Sequence, residues 1–537
     1  MTQVFMGIDV GTSSARAGVF DASGTLLGTD KRDVTVHHAP GSIVEQSSAE
    51  IWAAVSAAAR GAIRKAGVDP AAVAGVGFDA TCSLVVLGDN GAPLPVGPSE
   101  DPDRNIIVWM DHRAIDQAER INALGHRVLD YVGGRISPEM ETPKLLWLKE
   151  NRPEVFGTAW QFLDLTDYLT WRATGSLARS ICTVTCKWTY LGHDARWDES
   201  YFRAVGLGVL ADEGFTRIGT EVVDPGTPLG AGLTAEAAAD LGLAPGTRVG
   251  AGLIDAHAGG IGSVGAEGGG GPQDNLAYVF GTSSCTMTTT ADPVFVPGVW
   301  GPYYSAMVPG AWLNEGGQSA AGAAIEQLLR FHPAAGEAGA AAAAADMSLP
   351  GWLADRALAR AGSTAAAARL ADGVHVVPEF LGNRAPHADP HTRAVIAGLG
   401  MDADVDTLVA LYVAGICGLG YGLRQIIQTQ ADNGARIKTI VISGGAGRSD
   451  LVRQMLADAT TVPVAAPATE EPVLLGSAIL GAVAAGAFPD MPAAMAAMSS
   501  NASVYTPATG ALRAYHDRRF DLFEAFQALA RDAAVRA

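Results

Sequence analysis

Cysteine is scarce in this chain: five residues of 537, at Cys82, Cys182, Cys186, Cys285 and Cys417. An odd, thinly spread set argues against a disulfide scaffold and fits a reducing compartment, so the expected location is cytoplasmic. Positive charge is short as well. Lys and Arg total 37 against 56 Asp and Glu, for a net charge of −19. Such a chain is a poor match for nucleic acid or an anionic membrane surface, and neither is expected as a partner. A few local donors still suffice for a small anionic ligand. The opening residues, Met1 to Ser14, show neither a basic start nor an apolar stretch, so no secretory signal is expected. The longest run of small apolar residues, Val473 to Phe488, falls short of the ~20 residues that span a bilayer. Its Ala and Gly content suits a tightly packed buried helix. Cys182-x3-Cys186 lacks a second Cys or His pair at zinc spacing, so no metal site is expected there.

Apolar residues and glycine are plentiful. Apolar residues make up 48% of the chain and charged ones 17%, which supports real cores and excludes a disordered protein. The 65 glycines follow no every-third-residue period, so they predict tight turns and exclude collagen. At roughly 100–200 residues per domain, two large domains or several small ones are expected.

The first residues read as a β-meander: strand Val4–Val10, turn Gly11–Ser14, strand Ala15–Phe20, turn Asp21–Gly24. Helical spacing predicts a helix over Ser48–Ala66, and Val73–Phe78 reads as a short buried strand. This alternation predicts an α/β layer architecture. Val249–Ile254 is another buried strand, followed by Asp255. Gly259-Gly260 and Gly268 to Gly271 are the best linker or hinge candidate. The expected domains are therefore 1–270 and 271–537. Pro333–Ala345 and Ala365–Ala368 read as a surface loop or weakly specified helix.

Gly-Thr-Ser-Ser occurs at 11–14 and again at 281–284, each time directly after an apolar strand. An ordinary hairpin explains one copy. Two copies about half a chain apart predict an internal duplication, with two similar domains facing one cleft. Such turns offer consecutive backbone N–H groups and hydroxyls, which hold phosphate oxygens without a lysine. Neither is a P-loop, because Gly-x4-Gly-Lys-Ser/Thr is missing. Asp9, at the end of the first strand, suits the waters of a bound Mg²⁺, or simply caps the turn. Ser443-Gly444-Gly445-Ala446-Gly447-Arg448-Ser449 joins a strand to a predicted helix, Asp450–Ala459. It permits close approach by a flat purine, or is a plain connection. Asp255 follows a buried strand. It is placed either to take a proton from a hydroxyl or to cap a helix, and the residues alone weigh these equally. Trp109, Asp111 and Arg113 combine an aromatic face with charged hydrogen-bonding groups, as a sugar site does; a helix start explains them too.

In order and spacing, these segments together resemble the FGGY family of carbohydrate kinases, over about Val4 to Phe488. Gly7–Arg16 resembles the family's first phosphate motif and Phe280–Ser284 its second. Gly252–His257 resembles the strand carrying its catalytic Asp, and Ser443–Ser449 its adenosine motif. The resemblance narrows to pentulose kinases. It does so through Lys187 in Cys186-Lys187-Trp188, Glu315 in Asn314-Glu315-Gly316, and the segments Gly133–Ser137 and Pro143–Leu148. Asp79–Val86 resembles a signature of D-ribulokinases. The second family signature, after Leu399, is only partly matched, with Thr407 and Leu411 departing from it. Glu326 stands where a relative has an amide.

The resemblance implies a two-domain actin-like ATPase (ribonuclease H-like) fold with ATP in the interdomain cleft. It implies phosphate contacts from Thr12, Ser13, Arg16, Gly281 and Thr282, and nucleotide contacts from Gly322, Gly444, Gly445 and Ser449. Mg²⁺ is expected near Asp9 and Asp255. The sugar is expected against Thr81, Cys82, Trp109, Asp111, Lys187 and Glu315, with Asp255 as general base. The implied reaction is ATP-dependent phosphorylation of a 2-ketopentose, D-ribulose first. L-ribulose, D-xylulose or a pentitol are the alternatives, and a non-catalytic ATP-gated actin-like protein is the alternative of another class. The expected partner is the small sugar, with room left for a homodimer.

Overall fold

The computed structural model describes residues 3–266 and 270–535. The first sheet begins with the expected meander of β1 (Val4–Gly11), β2 (Ser14–Asp21) and β3 (Leu26–Asp33), all antiparallel. Helix α1 runs over Ser48–Ala66, as its spacing predicts. The Ser47 hydroxyl caps it by accepting the Glu50 N–H, and Gly67 ends it with φ 66°. β4 (Val73–Ala80) then lies parallel to β1. Helix α2 (Ile181–Lys187) follows. The predicted strand 249–254 is interrupted: β5 (Arg248–Val249) and β6 (Leu253–Ile254) both pair with β4 in parallel. Between them, a side chain on Gly252 would press against the Phe78 carbonyl, so the chain passes too close to β4 for any other residue.

Helix α3 (Asp255–Val264) starts directly after β6. It contains Gly259 and Gly260, which are buried helix residues rather than the linker their composition suggests. Of Gly268 to Gly271, the other half of that expectation, the first two lie outside the described residues, and Gly270 and Gly271 have φ 87° and 79°.

The second half repeats the plan. β7 (Asn275–Phe280) and β8 (Ser284–Thr290) form an antiparallel hairpin around the second Gly-Thr-Ser-Ser turn. β9 (Trp300–Tyr304) and β10 (Trp312–Gln318) extend it. β11 (Thr439–Ser443) is parallel to β7, as β4 is to β1, and β12 (Val464–Pro467) and β13 (Asn501–Tyr505) complete seven strands. Both copies of the tetrapeptide therefore join equivalent strands of equivalent sheets. The region 335–344 is a helix with Ala338 and Ala342 buried, more regular than a surface loop.

Helix α4 (Val405–Asp432) is long and apolar enough to cross a membrane by length and composition, and 78% of its apolar window is buried. Its residues Leu408, Val413 and Leu419 belong to the second core, with Ile440 and Leu456. Helix α5 (Asp450–Thr460) follows β11, close to the predicted span.

Helix α6 (Pro472–Ala484) alters the domain picture. Strands of the six-stranded sheet come only from the first half and those of the seven-stranded sheet only from the second. Yet α6 lies on the first sheet: a Cβ on Gly7, Gly75 or Gly77 would overlap the carbonyl oxygen of Leu474, Gly481 or Ser477. It also crosses α3 at backbone contact, where a Cβ on Gly262 would overlap the Pro472 carbonyl and one on Gly476 the Ala258 carbonyl. A boundary at 270/271 therefore separates the sheets but not the helical layers.

This crossing has no room for one methyl group. Gly476→Val is expected to destabilise the fold by about 1–3 kcal/mol, the usual cost of overpacking. A denaturant midpoint equal to wild type would show that α6 does not touch α3 as described.

Candidate active site

The two sheets face each other across an open cleft of about 560 Å³. The first hairpin brings Thr12, Ser13 and Ser14 to it and the second brings Ser283. Asp255 lines the same cleft. Gly281 and the exposed Thr282 sit in the second turn, where the Gly281 N–H donates to the Ser283 carbonyl at 2.9 Å. The first turn is braced from behind. The Trp109 indole N–H donates to Thr12 Oγ1 at 3.0 Å, and the Gln46 amide donates to the Thr12 carbonyl at 2.7 Å. The Thr12 hydroxyl keeps its own proton to donate toward the cleft.

Asp9 and Asp255 lie on the floor, and Asp79 is buried beneath it. Asp9 and Asp79 are paired neighbours on parallel β1 and β4, and Asp79 is also paired with Leu253 on β6, just before Asp255. Burial pushes the Asp255 carboxyl up to about 6, with the Asp9 charge adding to it; the Ala256 N–H, 2.7 Å away, works in the opposite direction. Asp79 is fully buried. Burial first, then Asp9, raise it well above the ordinary range, although the Ser477 hydroxyl from α6 donates to it.

Arg16, opposite Asp9 in the β1–β2 register, donates to Asp9 Oδ2 at 2.7 Å through Nε and to Glu471 Oε2 at 2.6 Å through Nη1. Its charge is thus already matched by two carboxylates. It lines the cleft, but it holds Asp9 in place rather than standing free for phosphate.

On the other side, Lys187 ends α2 and Glu315 sits on β10, 5% and 7% exposed. Burial would raise the Glu315 carboxyl; the Lys187 charge and the His257 imidazole outweigh it and hold it at about 2. Burial would likewise lower the Lys187 ammonium, but Cys82, Glu315 and Tyr303 raise it well above its usual value. The Lys187 nitrogen stands 5.1 Å from the centre of the Trp300 ring, and the Arg384 guanidinium stands 5.8 Å from it. Thr81, Cys82, Glu139 and Cys285 complete this wall.

Of the expected sugar residues, Thr81, Cys82, Trp109, Lys187 and Glu315 all line the cleft. Asp111 does not. It is 0% exposed, accepts the Val44 N–H at 2.6 Å and pairs with Arg113 at 2.7 Å, and Arg113 also holds Glu45. The chain turns between the two residues, with the Asp111 N–H on the Val108 carbonyl, so Trp109 faces the cleft and Asp111 faces inward. The expected nucleotide residues gather at the end of β7. Gly322 N–H donates to Gly281 O at 2.9 Å. Gly444 has φ 94°, and a Cβ there would meet Phe280 O at 2.5 Å. Gly445 borders open space, Ser449 stands before α5 without capping it, and Glu326 is exposed. Only glycine fits at Gly444, whereas a side chain at Gly445 would meet nothing.

Sequence reasoning missed Asp79, Glu139, Trp300 and Arg384. Only Asp79 carried a signal, its equivalent place beside Asp9 at the end of a parallel strand. The carboxylates fit a hard divalent cation such as Mg²⁺. They offer oxygen donors only, and Asp79 Oδ1 is buried without a hydrogen-bond partner.

Residues 4–262 match the N-terminal domain and residues 276–485 the C-terminal domain of the FGGY family of carbohydrate kinases. A human FGGY carbohydrate kinase domain-containing protein is 43% identical over 528 residues, covering 97% of this chain and 95% of the relative. A D-ribulokinase of Saccharomyces cerevisiae is 38% identical, covering 90% and 72%. Among solved structures, a ligand-bound xylulose kinase from Lactobacillus acidophilus superposes with a TM-score of 0.81 at 20% identity, covering 99% of each chain. The fold is thus the two-domain, actin-like one of the sugar kinases.

The burial of Asp111 separates two roles by experiment. Asp111→Asn strips Arg113 of a buried partner and is expected to cost about 3 kcal/mol of stability. A variant with wild-type stability but a raised KM for sugar would instead put Asp111 in the binding site.

Proposed function

The chain belongs to the FGGY family of carbohydrate kinases, and we propose that it transfers the γ-phosphoryl group of ATP to the terminal C5 hydroxyl of a 2-ketopentose, D-ribulose first. The observation that carries this reading is the placement of Asp255 in one cleft with both hydroxyl-rich turns. A phosphate chain gripped by the turns and a sugar on the Lys187–Glu315 wall would meet at that carboxylate.

The turns at Gly11–Ser14 and Gly281–Ser284 bind phosphate oxygens through N–H and hydroxyl donors of Thr12, Ser13, Gly281 and Thr282. Gly322, Gly444, Gly445 and Ser449 leave a narrow seat for the adenosine. Asp255 accepts the proton of the C5 hydroxyl as that oxygen attacks phosphorus. Asp9 and Asp255 would hold Mg²⁺, mainly through its waters, and the cation would neutralise charge on the phosphates. Most of the acceleration comes from holding the reactants in line and matching charge, as in phosphoryl transfer generally. Lys187 and Glu315 orient sugar hydroxyls as a donor and an acceptor, and the flat faces of Trp109 and Trp300 offer apolar surface to the carbon skeleton. Both charges are matched within the protein, which suits an uncharged polyol rather than a sugar acid.

D-ribulose is favoured on two grounds. The D-ribulokinase relative aligns over most of this chain. Thr81 and Cys82, within the D-ribulokinase-like segment, face the cleft. ADP release measured with D-ribulose, L-ribulose, D-xylulose and L-xylulose, with NMR of the phosphorylated product, tests the choice. The highest kcat/KM is expected for D-ribulose with phosphate on C5. A tenfold or larger preference for another pentulose, or for a pentitol, reassigns the substrate. No sugar-dependent ADP release at all would favour a non-catalytic ATP-gated role.

Asp255→Asn is expected to leave ATP binding near wild type and to lower kcat by ~10²–10⁴, the worth of a general base. The base must be ionised, and its carboxyl titrates at about 6. kcat/KM should therefore fall tenfold per pH unit below that value and level off above it. A profile flat from pH 5 to 8 would remove Asp255 as the base.

A further inference from the structure

Behind the sugar wall lies a cluster that this reaction does not use. Cys182 and Cys186 are four residues apart on α2, hence on one face of the helix. His257, the third residue of α3, turns its ring toward them, with Nδ1 3.1 Å from Cys182 Sγ. One donor atom from each of the three lies within 4.8 Å of the others, and all three side chains are buried. The cysteine pair lacks a partner at local zinc spacing; the fold supplies one from 71 residues further along. We propose that Cys182, Cys186 and His257 form a binding site for a thiophilic divalent cation, Zn²⁺ foremost, separate from the carboxylate row.

Two thiolates and one neutral imidazole are a common donor set for Zn²⁺, and their charges cancel the dication, so the loaded site buries no net charge. The surroundings are those of a metal-bound thiolate and imidazole. The Ile254 N–H points at Cys182 Sγ from 3.5 Å. On the far edge of the ring, His257 Nε2 has no hydrogen-bond partner, and Glu315 Oε2 stands 3.6 Å away. A carboxylate behind the second ring nitrogen is the usual outer support of a metal-bound histidine. Loading replaces the two thiol protons, which leave to solvent, with metal–sulfur bonds. The bound ion would tie α2, which ends at Lys187, to α3, which begins at Asp255.

The test uses the full-length protein after dialysis against a chelator, titrated with Co²⁺ as a spectroscopic stand-in. The expected result is one equivalent bound, with a near-ultraviolet thiolate-to-cobalt band that Zn²⁺ abolishes. Cys182→Ser and Cys186→Ser should each lose most of that band, and Cys417→Ser should keep it. If either serine variant fails to fold, Cys82→Ser and Cys285→Ser, which change the other nearby thiols, decide instead, and both should retain the band. Absence of a thiolate band in wild type at excess Co²⁺ overturns the proposal. So does its persistence in the Cys182 and Cys186 variants, or its loss with Cys82 or Cys285.

Discussion

The cleft depends on one contact, the backbone approach of helix α6 to the first sheet and to α3. Glycines on both sides make it, and it brings C-terminal groups to N-terminal carboxylates. Glu471, just before the helix, holds Arg16, and Ser477 within it holds Asp79. Val473 reaches the cleft wall itself. If α6 stood a methyl group further out, the Asp9–Arg16 pair would lose its outer brace and Asp79 would face Asp9 without a donor. The helix packing thus sets the electrostatics of the floor.

Two of the cations lining the cleft are already matched. Arg16 is saturated by two carboxylates, and Lys187 is matched by Glu315. On the proposed reading, a triphosphate entering this cleft would meet hydroxyls and backbone N–H groups at two turns, with their dipoles fixed before binding. Fixed dipoles would cost no reorganisation as charge develops during such a transfer.

The legible parts of this molecule are local. Each Gly-Thr-Ser-Ser turn follows directly on an apolar strand, so both turns could be read from about a dozen residues each. Helix α1 announced itself by its period. Asp255 stood out because a buried strand ends beside it. The illegible parts depend on residues far apart in the chain. Asp79 matters because Ser477, 398 positions later, lies over it, and Arg16 because Glu471, 455 positions later, grips it. Gly259-Gly260 looked like a hinge by composition, although helical glycines and hinge glycines carry the same letters. Only the packing tells them apart: a Cβ on Gly260 would overlap the Met307 sulfur, and one on Gly259 would press on the Val473 side chain. Asp111 misled for a related reason: a tight turn, invisible in spacing, sends it and Trp109 to opposite sides.

The Cys182–Cys186–His257 cluster is where these themes meet. On the proposed reading, the two helices deliver Lys187 and Asp255 to opposite sides of the sugar, and their separation would decide whether a proton acceptor and an orienting cation act on one small molecule. Cys182 joins their starts, through the Ile254 N–H and the His257 ring, and α2 has only seven residues with which to hold its last one in place. Buried thiols and an imidazole give a rigid joint only if their polar atoms are satisfied, and His257 Nε2 has no hydrogen-bond partner. With the site loaded, Nδ1 carries a metal bond and the Nε2 proton turns toward Glu315, the residue whose charge balances Lys187. One ion would then fix the tautomer, the spacing of the two helices and the charge pairing of the sugar wall together.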